Sequence, residues 1–352
     1  MWLAKWHGPF LRQQHDEEAI MPISGLGPHG EIAQSPDRMR ISAEEAERAR
    51  QGKFRVAVVL HTTKSDWAKQ HLVGIAKTLG DHGAAIIEVV DCNFSAATQN
   101  ASFERLIQSR PDAIISLPVG NTVMAEAYRK ASKAGIKLVL LDNVPTGLLP
   151  GTDYVSLISA DNFGLGQIGA ELLSPHVAAG GEVGILTYRK DFYATNEREI
   201  AFRRWIETRR PDVVVRQGEF DEPAHAGETL NRLLELHPNI SGVFAVWDEA
   251  AISAMAKMQA NGQALPMTTI DLGEEAAQAL AEGVIMKGVG SQRPFDQGVA
   301  AARATLLSLI DRQPPPWLAL PGLAVSRENI IESYQVIWHM PPPAKLVKAV
   351  LG

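Results

Sequence analysis

The chain has 352 residues, enough for about two domains of roughly 100–200 residues each. Its net charge of −6 argues against a nucleic-acid-binding surface, and no Lys/Arg cluster is longer than Arg203–Arg204 or Arg209–Arg210. A single cysteine, Cys92, excludes an internal disulfide and a cysteine-built metal site, and no apolar run nears the roughly 18 residues needed to span a bilayer.

The amino-terminal stretch MWLAKWHGPFLRQQHDEEAI lacks the apolar core and small-residue cleavage site of a secretory signal. That is the expectation for a cytoplasmic protein, or for a start that is not the precursor's. Residues 1–40 read as an irregular arm, rich in Pro and Gly over Pro22–Gly30. Ser42 then caps a helix in ISAEEAERARQG, with Glu45 at the capping-box position and Gly52 as its stop.

From Lys53 the pattern becomes regular. FRVAVVL (54–60), AAIIEVV (84–90), DAIISLP (112–118), KLVLLDN (137–143) and YVSLIS (154–159) read as strands, separated by helices over 68–80, 97–109 and 122–134. The second half repeats the scheme. Strands EVGILTY (182–188), VVVRQGEF (213–220), GVFAVWD (242–248), MTTIDLG (267–273) and VIMKGVG (284–290) alternate with helices over 163–173, 196–209, 224–236, 250–261, 274–282 and 295–310. Strands alternating with helices of this length mean right-handed βαβ units and parallel sheets. Two successive halves of one layout predict an α/β protein of two Rossmann-like lobes with a cleft between them.

The residues just past the apolar runs are His61, Pro118, Asp142 with Asn143, Tyr188 with Arg189, Trp247 with Asp248, Asp271, and Ser291 with Gln292. Hydrogen-bonding groups and aromatics gathered at carboxyl ends of strands mark the ligand side of open α/β sheets. The set suits a neutral polyhydroxylated ligand: carboxylates accept from hydroxyls, amides donate, and the indoles of Trp67 and Trp247 match C–H faces. Each residue also has a plain structural reading. An Asp at a βα turn is a common helix cap, Trp247 suits core packing, and His61 suits a structural histidine.

Gly164-Leu165-Gly166-Gln167-Ile168-Gly169 matches GxGxxG, but it is preceded by Asp161-Asn162-Phe163 rather than by a strand, and no acidic strand end follows about 20 residues on. These glycines read as close-packing positions on a helix. No GxxxxGK[ST], GxSxG, HExxH or paired metal-ligand spacing is present, so neither an enzyme nor a cofactor is expected.

KFRVAVVL, LVLLDN, the SADN of Ser159–Asn162, TNEREIAF (195–202), GVFAVWDEAA, TTIDLG and the GSQRPFDQG of Gly290–Gly298 stand in an order and spacing that resemble type 1 periplasmic binding proteins of sugar ABC transporters, the ribose-binding-protein group. The resemblance covers roughly residues 54–340. It implies a three-segment hinge near Ile158–Ala160, Ser291–Pro294 and Leu318–Gly322, a first lobe of 54–158 plus 293–318 and a second of 159–292 plus 319–340; the amino-terminal arm and helix over 1–52 and a Pro-rich tail over 341–352 lie outside it. Carried over by position, ligand contacts fall on Trp67, Asp142, Asn143, Asn196, Trp247, Asp271 and Gln292, with Phe220 at a weaker aromatic position. His61 and Asp66, at the end of the first strand and beside Trp67, complete the expected set. Ribose-type members carry Arg where this chain has Asn143 and Asn196, and Asn where it has Trp247, which implies a smaller or less ring-like neutral ligand such as a short sugar or linear polyol.

The function that follows is capture of a small neutral sugar or polyol for an ABC permease, by a monomer that acts in the periplasm and binds no nucleic acid. The alternative is a sugar-sensing regulator of the same fold acting through a protein partner. LacI-type repressors share the fold, but residues 1–52 hold no paired helices of the helix-turn-helix kind.

Overall fold

The computed structural model describes residues 23–351; the terminal stretch read for a secretory signal lies outside them. The segments expected as strands and helices between 54 and 310 all form, with ends shifted by a few residues. Ser42 caps α1 (Ala43–Gly52) through a complete capping box with Glu45. The first run is β1 (Arg55–Leu60), α2 (Asp66–Asp81), β2 (Ala85–Asp91), α3 (Ala96–Ser109), β3 (Ala113–Ser116), α4 (Ala125–Lys133), β4 (Lys137–Leu141) and β5 (Ser156–Ala160). The second is α5 (Asn162–Leu173), β6 (Glu182–Tyr188), α6 (Tyr193–Arg209), β7 (Val214–Phe220), α7 (Ala226–Leu236), β8 (Ile240–Ala245), α8 (Asp248–Ala260), β9 (Met267–Ile270), α9 (Glu274–Glu282) and β10 (Met286–Ser291). The chain closes with α10 (Pro294–Leu309), β11 (Trp317–Leu320), β12 (Leu323–Val325), α11 (Ile330–Trp338) and α12 (Ala344–Leu351).

Two six-stranded sheets result. The first runs β11-β5-β4-β3-β1-β2 with every neighbouring pair parallel. The second runs β12-β10-β9-β8-β6-β7 and is parallel except where β12 joins β10 antiparallel. The orders match strand for strand, so each residue at a strand end in one sheet has a counterpart in the other. The central strands are apolar runs without alternation because helices cover both faces. The chain passes between the sheets three times: after β5, after β10, and between β11 and β12.

The segment read as a carboxy-terminal tail forms α12, which buries Leu346 and packs on α9. Of the amino-terminal arm, the described part lies along the body: Gln34 makes a parallel bridge with Leu318 of β11, and Met39 is buried.

Glycines set the tightest helix contacts. A Cβ on Gly166 of α5 would lie 2.3 Å from the Arg198 carbonyl oxygen on α6, and one on Gly169 would lie 2.5 Å from the Phe244 ring, so the GxGxxG glycines are packing positions. In the first lobe the α2–α10 crossing is equally close: a Cβ on Gly298 would stand 2.3 Å from the His71 carbonyl oxygen. Gly298→Ala therefore forces two helix backbones apart and is expected to cost about 1–3 kcal/mol. Gly80→Ala, on an exposed helical position with open space around it, is expected to stabilise by about 0.5–1 kcal/mol. Denaturant melts of the two variants check the pair, and equal effects would contradict the packing account.

Candidate functional site

The two sheets point their carboxyl ends at each other, and matched residues meet there. Asp142 follows β4 and Asp271 follows β9, the equivalent strands of the two sheets. Both adopt left-handed backbone, with φ of 49° and 74°. Each amide donates to the neighbouring strand: Asp142 to the Ile158 oxygen and Asp271 to the Gly290 oxygen, both at 3.0 Å. Left-handed backbone at non-glycine residues costs of order 1–3 kcal/mol and is held only where the surroundings fix it. Here it turns both carboxyl groups into the space between the sheets.

That space is a cavity of about 100 Å³, with walls from both lobes. The first lobe supplies His61, Thr62, Ser65, Trp67, Phe94 and Asp142; the second supplies Tyr188, Phe192, Thr195, Arg198, Trp247, Asp248, Glu249 and Asp271, and Gln292 stands at a crossing. Trp67 lies over His71 with ring centres 3.8 Å apart and meets the edge of His61 at 5.7 Å. On the facing wall Trp247 packs edge-on to Tyr188 at 5.1 Å and to Phe220 at 4.9 Å. Two indoles from opposite lobes thus flank one cavity.

Arg198, only 4% exposed, is the one positively charged residue among the cavity's walls. Its Nε donates to Asn162 Oδ1 and its Nη1 to the Val246 carbonyl oxygen, each at 2.9 Å, and Nη1 stands 3.6 Å from Asp271 Oδ2. Its guanidinium is engaged by the protein itself. Four carboxylates face that single cation, and the electrostatics follow. Burial raises Asp142 to about 7 against the pull of Arg198. Burial likewise raises Asp271, while burial and then neighbouring carboxylates raise Asp248 and Glu249. Burial lowers His61 to about 4, leaving its imidazole neutral.

Three buried polar atoms on these walls have no partner: His61 Nδ1, Trp67 Nε1 and Gln292 Oε1. Gln292 spends its Nε2 on Asp271 Oδ1 at 2.8 Å. Asp142 Oδ1 takes the Ala160 amide at 3.2 Å and Gln297 Nε2 at 3.4 Å. Unpartnered buried groups call for something that completes their hydrogen bonds. Among the described residues no group of metal-ligating side chains could hold a metal ion.

Of the residues expected to touch ligand, His61, Trp67, Asp142, Trp247, Asp271 and Gln292 line the cavity. Four others do not. Asn143 is buried beneath the wall, donating to the Pro118 carbonyl oxygen and accepting from the Tyr193 amide of the other lobe at 3.3 Å. Asp66 reaches across the cleft, and its Oδ2 accepts the Glu274 amide at 3.0 Å, capping the opposite lobe's α9. Asn196 turns away toward Asp191 at 2.7 Å. Phe220 is buried behind Trp247 and supports it. Sequence reading passed over Arg198, Thr195, Phe192, Phe94, Ser65 and Thr62. Arg198 had a usable signal: it falls on the buried stripe Ala194, Thr195, Ala201 and Phe202 of α6, where an arginine needs partners.

The periplasmic binding protein domain family matches residues 56–311. The ribose import binding protein of Bacillus subtilis (strain 168) is 23% identical over 240 residues, covering 68% of this chain and 76% of that protein. The fold resembles that of an ABC transporter solute-binding protein from Agrobacterium vitis bound with α-D-tagatopyranose, at a TM-score of 0.75 and 21% identity over 83% of this chain and all of that one. Another from Agrobacterium vitis, with bound allitol, has a TM-score of 0.70 and 21% identity over 80% of this chain and 98% of that one. With two matched sheets, three crossings and a cavity between the lobes, the chain belongs to the periplasmic binding protein family, type 1.

Proposed function

We propose that this protein is the solute-capturing component of an ABC importer, binding a small neutral sugar or polyol between its lobes. The observation that carries the reading is the cavity's mixture of unfilled polar positions. Trp67 Nε1 can only donate and Gln292 Oε1 can only accept, and a hydroxyl group serves both needs. The indole faces of Trp67 and Trp247 suit the C–H sides of such a ligand. An anion is disfavoured, because four carboxylates line the space and the single arginine is already engaged. Nothing in the arrangement is an activated nucleophile or acid–base pair, so the reading is of binding and not of turnover. The import of ribose by one relative and the sugar and sugar alcohol bound in two structural neighbours agree with it.

In this reading the lobes are 54–158 plus 293–318 and 159–292 plus 319–340, and the three crossings serve as the hinge. The structure is of the closed form, in which Asp66 and Asn143 bind backbone amides of the opposite lobe. Contacts that exist only on closure bias the equilibrium toward it, and a ligand touching both walls adds to that bias. Delivery to a permease places the protein in the periplasm, and one copy suffices because the cavity is complete within one chain.

Thermal shift and calorimetry across tetritols, pentitols, hexitols, pentoses, hexopyranoses and sugar phosphates test the reading. A neutral sugar or polyol is expected to raise the melting temperature, by about 2.7 kcal/mol of stability at a hundredfold excess over Kd. Binding of phosphorylated sugars alone, or of none of the panel, would sink it. Trp247→Ala removes one wall and is expected to weaken binding of the best ligand about tenfold or more, with the circular dichroism spectrum unchanged. Equal affinity would leave Trp247 as packing for Tyr188 and Phe220 only.

Asp142 also imposes a pH dependence on the ligand-free protein. Its folded pKa of about 7 lies above the ordinary 3.8, so between those values the native state holds a proton that the unfolded chain has released. Stability from this group is full below about pH 4 and is lost as pH rises through 7. Buried neutral His61 works oppositely over part of the same range, so the variant comparison isolates the aspartate. The stability of Asp142→Asn relative to the native chain is expected to climb from pH 4 to pH 8, reaching a few kcal/mol. A flat difference across that range in urea melts would refute the assignment.

A further inference from the structure

The described part of the amino-terminal arm precedes the family-matched region, and it is bonded to both lobes. Its anchor is on the first. Arg312 pairs with Glu45 at 2.8 Å, the Gln34 amide donates to the Trp317 oxygen at 3.3 Å, and Ile23 and Ala33 pack on the core cluster that holds Tyr154 and Trp317. The chain then lies across the first crossing. The Ser24 and Gly25 amides donate to the two carboxylate oxygens of Asp161, at 2.6 and 3.0 Å. Asp161 also caps α5 through the Gly164 amide at 2.9 Å, and its own amide donates to the Leu320 oxygen of β11 at 2.9 Å.

One further bond reaches the second lobe: the Tyr193 hydroxyl donates to the Leu26 carbonyl oxygen. Tyr193 opens α6, directly before the cavity-lining Ala194 and Thr195, and its amide is the one held by Asn143 across the cleft. The fit is close. A Cβ on Gly25 would lie 3.0 Å from Asp161 Oδ1, and one on Gly27 would lie 3.0 Å from the Trp317 ring.

We infer that residues 23–34 form a strap that holds the two lobes in the closed arrangement, with Tyr193 as the positioning residue on which it acts. The arm stays with the first lobe through Gln34 and α1, whereas Tyr193 moves with the second. Opening therefore has to break the Leu26–Tyr193 bond and pull on the Asp161 pair. Because the strap is covalently attached, its contacts re-form at high effective concentration, and no binding partner is spent in making them. It acts outside the cavity, so it changes the closed population and the release rate without choosing the ligand.

Three chains test this against the full-length protein: Tyr193→Phe, which keeps the ring and loses the hydroxyl; a chain beginning at Pro28, which lacks the strap's contacts to Asp161 and Tyr193 but keeps Gln34 and α1; and a control beginning at Met21, which keeps the whole strap. Small-angle X-ray scattering of the ligand-free proteins is expected to show the first two more expanded than the full chain, with the control matching it. Stopped-flow tryptophan fluorescence is expected to show release of the best ligand of the panel about three- to tenfold faster in the first two, the effect of one or two net hydrogen bonds. Identical scattering of Tyr193→Phe and the full chain would overturn the strap. Should the chain beginning at Pro28 fail to fold, Tyr193→Phe decides alone. Scattering needs no ligand, so failure of the sugar or polyol reading is distinguishable from failure of this one.

Discussion

Asp142 and Asp271 are the point on which the lobes meet. They occupy equivalent strand ends in two matched sheets, both in left-handed backbone, and both send a carboxylate into the interface. Two such groups out of water repel each other, and each is costly to ionise. Arg198 is the physical answer: a buried cation beside Asp271, fixed by Asn162 and by the Val246 carbonyl oxygen just past β8, and near enough to draw Asp142 down. Four carboxyl groups still face one engaged cation among the cavity walls, and burial holds all four above the usual carboxylate range, so a neutral hydroxyl-bearing guest completes the site better than an anion.

Placing that cation depends on close helix packing. Arg198 rides on α6, and α6 lies against α5 only because Gly166 has no side chain to hold the Arg198 backbone away. The same economy operates in the first lobe, where Gly74 and Gly298 let α2 and α10 touch. α2 carries Trp67 and Asp66, so one glycine crossing sets both an aromatic wall and an interlobe cap. Glycines that resemble a nucleotide fingerprint thus act at one remove from the ligand, through the positions of the helices that face it.

Contacts between the lobes fall into two kinds. Inside the cleft, Asp66 and Asn143 each accept a backbone amide from the other lobe. Outside it, the arm and the pair formed by His339 with Asp296, at 3.2 Å, join elements of different lobes near the crossings. Both kinds are short-range and directional. Neither survives a rotation of one lobe against the other by more than a small angle, so any opening of the cleft has to break them.

Alternation of apolar runs with helical patterns was enough to read two α/β halves, since a strand buried on both faces has no polar positions to disguise it. The identity of the strand-end residues was legible for the same reason: of the six expected ligand residues that line the cavity, all but Trp67 on α2 stand just past a strand, because a parallel strand delivers the residues after it to a fixed edge of the sheet. Helix and loop positions were not legible in this way. Asn196 and Arg198 are two residues apart on α6, and the direction each takes is set by how the helix is rotated against α5. Asn143 and Asp66 became interlobe contacts because their partners are backbone amides far along the chain, at Tyr193 and Glu274. The sequence by itself determined the alternation, the duplication and the polar edge, which are local consequences of burial and side-chain period. Tertiary structure alone decided which polar groups face the cavity and which face the opposite lobe, because that choice depends on distances between segments that no local pattern encodes.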